Sequence, residues 1–240
     1  MTAVVALIPA HNESVTIEAV VAGARAHVDR VIVVDDGSDD DTAKRAEGQA
    51  EVLRQNTNGG KAAALWAGMQ HALATGADAV VTLDADGQHD TREIPALIAA
   101  WNETPNRLIL GARLKGREHT PPLRLFGDRM ADFWIAWASG QPLQDSQSGF
   151  RLYPSALLQR LDLRHHRSRG FVFESEALIV AERLGFPVRG VPVRCIYPED
   201  CRPSHYRPTA DTLRIIAMVA SHLLRRGMRP AGLWRSLRRP

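Results

Sequence analysis

The segment Val80–Asp90, VVTLDADGQHD, ends an apolar run in a cluster of Asp84, Asp86, Gln88, His89 and Asp90. Two carboxylates one residue apart can both face a ligand only where a strand has ended and the backbone turns, a turn that Gly87 permits. Asp84, Asp86 and Gln88 then offer hard oxygen donors of the kind Mg2+ or Mn2+ takes, with water or phosphate in the remaining positions. Such a cation neutralises a diphosphate and stabilises it as a leaving group. The same acids also suit a simpler role, capping the helix that the pattern predicts over residues 91–102.

Three further polar loops share this placement. AVVALI, RVIVVD, AEVLR and DAVVTLD are short β-branched runs, each followed by a helical pattern, and RLILGA comes next, as in a parallel sheet with crossover helices. Their unbroken apolar character suits a sheet covered on both faces. Ligands of such sheets sit outside the carboxyl ends of the strands, where PAHNE, DDGSDDDT, NTNGGK and DADGQH all fall. The second half reads as an amphipathic helix (PPLRLFGDRMADFWIAWASG), a strand (SGFRLY), a helix (FESEALIVAERLG), a strand (FPVRGVPVRC) and a longer helix (RPTADTLRIIAMVASHLLRR).

IPAHNES, VVDDGSDDDT, NTNGGKAAAL and LDADGQHD, in that order, with QDSQSGFRLY and FVFESEALIVAERLGFPVRGVPV beyond them, carry a family resemblance. The set resembles family 2 glycosyltransferases, especially the dolichyl-phosphate mannose or glucose synthase branch, over about residues 3–195. The resemblance implies an α/β chain with a single GT-A-like, Rossmann-type domain over residues 1–200, a mainly parallel sheet and helices on both faces. Residues 201–240 read as a basic helical extension of it. The implied activity is metal-dependent, inverting transfer of a sugar from a UDP- or GDP-sugar to an acceptor, with a polyprenyl phosphate or another lipid as candidates.

Carried over position by position, the resemblance assigns Pro9, His11 and Glu13 to the first nucleotide-contacting loop, although the family usually has an aromatic residue where His11 stands. It assigns Asp36 to the nucleobase, with Asp35 as second choice, and Lys61 of the N-x-G-K element to a phosphate. Asp84 and Asp86 contact the donor, and together with Gln88 they hold Mg2+ or Mn2+. Asp145 in QDSQSGF either acts as general base toward a hydroxyl acceptor or, with an acceptor that is already a phosphate, positions the sugar. Arg113, Arg124, His205 and Arg207 are the candidates for gripping phosphate on donor or acceptor. Glu174 and Glu176 open a helix, where capping and sugar contact are both open.

With 240 residues, 45% hydrophobic and 24% charged, the chain is long enough for one large core. The two cysteines, Cys195 and Cys201, have neither metal-type spacing nor a disulfide framework, which favours a reducing, cytoplasmic setting. MTAVVALIPAHNES lacks a basic leader and reads as a first strand, and no run reaches the roughly 18 apolar residues of a membrane span. Of the net charge of +3, residues 202–240 supply +8 through nine arginines and one aspartate, which leaves −5 on the preceding 201 residues. That asymmetry argues against nucleic acid as partner and for an anionic surface near the C-terminus, where LLRRGMRPAGLWRSLRRP forms a basic amphipathic segment suited to peripheral membrane contact. Two rival classes remain in the sequence. The D-x-D element of haloacid dehalogenase type phosphatases closes the first strand, whereas here it closes the fourth; a catalytically silent nucleotide-sugar-binding or partner protein would keep the loops without the transfer.

Overall fold

The computed structural model describes residues 3–115, 122–163, 172–194, 196 and 208–237, the side chains of 122–126 and 208–212 excepted. The chain alternates β1 (Val4–Ala10), α1 (Ile17–Arg25), β2 (Arg30–Asp35), α2 (Thr42–Ala46), β3 (Glu51–Arg54), α3 (Lys61–Ala74), β4 (Ala79–Thr82), α4 (Ile94–Glu103) and β5 (Leu108–Lys115). It continues through α5 (Pro122–Ser139), β6 (Arg151–Pro154), α6 (Ser155–Leu158), α7 (Val172–Arg183), β7 (Val188–Arg194), α8 (Pro208–Leu224) and α9 (Pro230–Ser236). A short 3-10 turn, Thr91–Glu93, leads into α4, and the Asp90 side chain caps it by accepting from the Arg92 amide.

The seven strands form one sheet in the order β3-β2-β1-β4-β6-β5-β7. All pairings are parallel except those of β6, which runs antiparallel to both β4 and β5. The sheet is built outward from β1 in two directions, toward β2 and toward β4, so the crevice for a ligand lies outside the carboxyl ends of these central strands. Because β6 runs the other way, the loop before it reaches that same rim, where Thr82 pairs with Arg151.

Alternation along β1 explains why the strands are apolar throughout. Val5 and Leu7 point into a core shared with α3, α5, α7 and α8, whereas Val4, Ala6 and Ile8 point into a second core with α1 and α4. None of these five side chains is more than 5% exposed, and each of the larger ones contributes roughly 1.5–3 kcal/mol by leaving water. Helix α3 is rich in Ala, Leu, Met and Gln, strong helix formers. It lies close on β1 because Gly68 faces Leu7 and Val34, leaving no room for a β-carbon. The inner face of α8 supplies Ile215, Met218, Val219 and Leu223 to the first core, so this part of the basic C-terminal segment packs against the body.

Candidate active site

Hydrogen bonds between neighbouring loops hold the rim together. Asn12 adopts a left-handed φ of 57°; its amide donates to Ser38 Oγ at 2.9 Å, and its Oδ1 accepts from the Asp39 amide at 2.8 Å. The Glu13 amide donates to Thr42 Oγ1 at 2.8 Å. Asp35 Oδ1 accepts from the Ser38 amide at 3.1 Å. Asp36, 3% exposed, accepts from the amides of Gly59 and Gly60 at 2.8 Å each, one at either oxygen. That carboxylate therefore ties the second loop to the entry of α3, and its remaining lone pairs stay available to a further donor.

Lys61 opens α3 and sits at the centre of the charged groups. Its Nζ lies 2.5 Å from Asp84 Oδ1 and 3.3 Å from Glu174 Oε1, the latter a side chain from the first turn of α7 and only 7% exposed. Burial alone would raise the Asp84 carboxyl and lower the Lys61 ammonium. Their mutual charge reverses both, holding Asp84 below the usual carboxylate range and Lys61 above the usual ammonium range. Gly149 closes the floor of this cluster: a β-carbon there would stand 2.9 Å from Glu174 Oε1, 3.1 Å from Lys61 Nζ and 3.2 Å from Asp84 Oδ1. Thr82 Oγ1 fixes the glycine by donating to its carbonyl at 2.7 Å.

Strand β4 ends at Thr82, and the acidic turn follows with Gly87 at a φ of 75°. Asp86 Oδ1 accepts from the Gln88 amide at 2.9 Å; its Oδ2 has no protein partner among the described residues. The Asp84 amide donates to Nδ1 of His89, at 3.0 Å, and the buried ring stacks on Phe150 with centroids 5.2 Å apart. Burial lowers the His89 pKa against the pull of Asp84 and Asp86, which keeps the ring neutral and Nδ1 an acceptor. His89 thus braces the turn. Among the described residues no three His, Cys, Asp or Glu side chains stand together as a metal cage. Asp84 and Asp86, two residues apart on this turn, are hard oxygen donors of the type that suits Mg2+ or Mn2+ when water and phosphate complete the shell.

Asp145 lies in the loop before β6, at a φ of 55° and 2% exposed. Its Oδ2 accepts from the amide and Nε of Arg113 at 2.7 and 2.8 Å, and its Oδ1 accepts from Nη2 at 2.6 Å. Beneath it, Asp132 of α5 accepts from the amides of Asp145 and Ser146 at 3.0 and 2.7 Å, and burial raises the Asp132 pKa. Arg151, fully buried, donates to the carbonyls of Ser146, Ser148 and Glu174 at 2.9, 2.7 and 2.5 Å. One guanidinium therefore joins the Asp145 loop to the helix that presents Glu174.

The rim brings together the loops of His11, Glu13, Asp36, Lys61, Asp84, Asp86, Gln88, Arg113 and Asp145; Pro9 lies in β1 opposite Val34. Arg124 lies in the first turn of α5, but its side chain is outside the described ones, and so are His205 and Arg207. Sequence reasoning did not single out Asp132, Gly149 or the anchoring by Arg151, and it left Glu174 without its Lys61 partner. The one available signal was Arg151 itself, a charge inside the apolar strand FRLY.

The open α/β sheet, with its acidic turn and its lysine on one carboxyl-end rim, is the architecture of a GT-A glycosyltransferase. The glycosyl transferase family 2 model matches residues 5–162, and the chain belongs to that family. It is 31% identical over 215 residues to a UDP-N-acetylglucosamine--dolichyl-phosphate N-acetylglucosaminyltransferase of Methanococcus voltae, covering 80% of this chain and 85% of that protein. It is 29% identical over 217 residues to an undecaprenyl-phosphate mannosyltransferase of Micrococcus luteus, covering 82% and 84%. Among solved structures, glucosyl-3-phosphoglycerate synthase of Mycobacterium tuberculosis with Mn2+, UDP and glucosyl-3-phosphoglycerate superposes with a TM-score of 0.66 at 25% identity, covering 92% of this chain and 80% of that one.

Proposed function

We propose that this glycosyltransferase moves a sugar from a UDP- or GDP-sugar to a polyprenyl phosphate, with inversion, at the cytoplasmic side of a membrane that its basic C-terminal segment contacts peripherally. One observation carries the proposal. Asp84 and Asp86 share the rim with Lys61, which touches Asp84, and with Arg113, whose fork Asp145 holds, so a divalent cation and two basic side chains would border a sugar diphosphate and an incoming phosphate. Relatives that use dolichyl and undecaprenyl phosphate supply the acceptor class, and the neighbour solved with Mn2+ and UDP supplies the cofactor class.

Asp84, Asp86 and Gln88 would hold Mg2+ or Mn2+, which supplies charge neutralisation to the departing diphosphate. Lys61 adds a fixed positive charge toward the same phosphates while Glu174 keeps its ammonium in place. His11, Glu13 and Asp36 border the nucleoside. A phosphate monoester is already a nucleophile and needs no strong base, so Asp145 serves as a positioning residue: its buried carboxylate aims Arg113 at the acceptor phosphate. Arg124, His205 and Arg207 are proposed further phosphate contacts.

The test is transfer by purified protein from UDP- and GDP-sugars to a detergent-dispersed polyprenyl phosphate, with Mn2+ and with excess chelator. Metal-dependent formation of a sugar-phospho-lipid is expected. The neighbour was also solved with phosphoglyceric acid, which favours a second reading, a soluble phosphorylated acceptor. Transfer to phosphoglycerate alone would establish that reading, and donor binding with no transfer to either would leave a silent nucleotide-sugar-binding protein.

A further inference from the structure

Ten large hydrophobic side chains are exposed among the described residues, and eight of them lie on α5, α8, α9 or the residues bordering α9. Apolar exposure concentrated on neighbouring helices points to an interaction surface. Helix α8 shows it most clearly. Its inner positions enter the core, yet Leu213, Ile216, Ala217, Ala220 and Leu224 are exposed and, at about 100° per residue, fall on a single outward stripe. A helix with a second apolar stripe pointing away from the core is expected to meet something other than water.

Helix α5 carries a matching stripe in Met130, Phe133, Trp134 and Trp137, spaced by three, one and three residues. Trp134, 39% exposed, stacks on Trp137 with centroids 5.3 Å apart. Trp137 Nε1 donates to the Met228 carbonyl at 2.8 Å, tying the aromatic pair to the turn between α8 and α9. Arg229 reinforces the junction by donating to the carbonyls of Ala138 and Ser139 at the end of α5. Helices α8 and α9 therefore both pack against α5, and the turn between them is bonded to its end. An exposed indole ring, as Trp134 presents, suits the boundary between headgroups and acyl chains.

The charge on this surface selects its partner. Residues 213–237 contain five arginines and no acid, whereas the first 201 residues carry −5. At the end of α7, Arg183 has buried Nε and Nη2 groups without an acceptor among the described residues, and burial together with Arg226 and Arg229 pushes its pKa down to about 10. Glu182 pairs with Arg229 at this junction, at 3.6 Å, while Arg225 and Arg226 at the end of α8 have no acid beside them in the chain. No helix among the described residues is long and apolar enough to cross a membrane.

We propose that α5, α8 and α9 form a docking face for an anionic lipid bilayer, the apolar stripes entering the headgroup boundary and the arginines meeting lipid phosphates. This rests on the lipid-borne acceptor proposed above and names the surface that would bring the active site to it. The tail is not a detachable anchor, since α9 and the turn before it complete the packing of α5. Point substitutions on the outer stripe are therefore the informative perturbation.

The test is sedimentation of the full chain with vesicles of phosphatidylcholine alone and of phosphatidylcholine with phosphatidylglycerol. Three proteins are compared: wild type, Leu213→Gln/Ile216→Gln and Arg225→Gln/Arg226→Gln. Wild type is expected to bind the anionic vesicles, the first variant to bind them at least about tenfold more weakly through lost apolar burial, and the second to lose roughly tenfold or more of the preference for anionic lipid. Thermal melts and nucleotide binding matching wild type would show that both variants are folded. Equal partitioning of all three proteins, or binding by none, overturns the proposal. So does a wild-type dimer in solution that Leu213→Gln/Ile216→Gln converts to monomer, which would make the face a contact between copies. Transfer to detergent-dispersed acceptor reads the acceptor independently: its absence alongside intact vesicle binding refutes the lipid-phosphate reading and leaves the docking face standing.

Discussion

Replacing Gly149 with alanine tests the geometry of the charged cluster with a single methyl group. Gly149 does not have a positive φ, so the substitution carries no backbone strain and acts by contact alone. Its β-carbon would press on Glu174 Oε1 at 2.9 Å, Lys61 Nζ at 3.1 Å and Asp84 Oδ1 at 3.2 Å. Each atom must yield by a few tenths of an ångström, but the three already hold one another and Glu174 is only 5% exposed. Overpacking of this kind costs about 1–3 kcal/mol. For a chain of this size that corresponds to a melting temperature lower by roughly 2–12 °C. Displacing Lys61 and Asp84 from the diphosphate should also lower turnover by up to about 10²-fold, the scale for ångström-level misplacement. Gly190→Ala is the control, because nothing lies within 4 Å of its added carbon, and its effect should stay within about 0.5 kcal/mol. Melting curves, titration calorimetry of UDP or GDP with Mn2+, and turnover are measured on all three proteins. A Gly149→Ala protein that melts, binds and turns over like the control would refute the close contact on which the argument depends.

Lys61→Met leaves the carboxylates of Asp84 and Glu174 without their cation, and a loss of about 2–4 kcal/mol is expected at pH 7, below the full cost for a dry pair because Lys61 is about a quarter exposed. Asp84's folded pKa lies beneath its unfolded value, so the pair stabilises the protein above about pH 4 and that contribution fades as pH falls through the folded pKa; denaturant melts should show the gap between wild type and variant narrowing below pH 4, and a gap that is constant from pH 3 to 7 would count against the pairing. Asp145→Asn should lower stability by about 3 kcal/mol through the loss of a buried partner of Arg113 and raise the acceptor KM with the shape of the pH–rate profile retained; a lost acidic limb at unchanged KM would instead make Asp145 the general base. Asp86→Asn should abolish metal-dependent nucleotide binding in calorimetry while changing the unfolding free energy by no more than about 0.5 kcal/mol, because the side chain lies at the rim. Wild-type Mn2+ response in that variant would move the cation elsewhere.

The sequence determined the α/β order and the common edge of four polar loops, because an apolar strand covered on both faces and the loop at its carboxyl end are local patterns. It also located Asp84, Asp86 and Gln88 in a turn, since Gly87 and the end of the Val80–Leu83 run are adjacent in the chain. The placement of Asp145 was different in kind. Only the antiparallel course of β6 delivers the loop before that strand to the rim; a parallel β6 would have carried it to the opposite edge, and no residue in QDSQSGFRLY states the direction. Lys61 and Glu174 are likewise far apart in the chain and meet because α3 and α7 both begin at the rim. Asp36 showed as an acid after a strand, while its two bonds to Gly59 and Gly60 appeared only once β2 and β3 were paired. The basic C-terminal segment was visible in composition, but the division of α8 into an inner stripe in the core and an exposed outer stripe depends on how α5, α7 and α8 pack. Local pattern decides which side chains leave water; strand order and direction decide which charges then meet, because those partners approach through space and not along the chain.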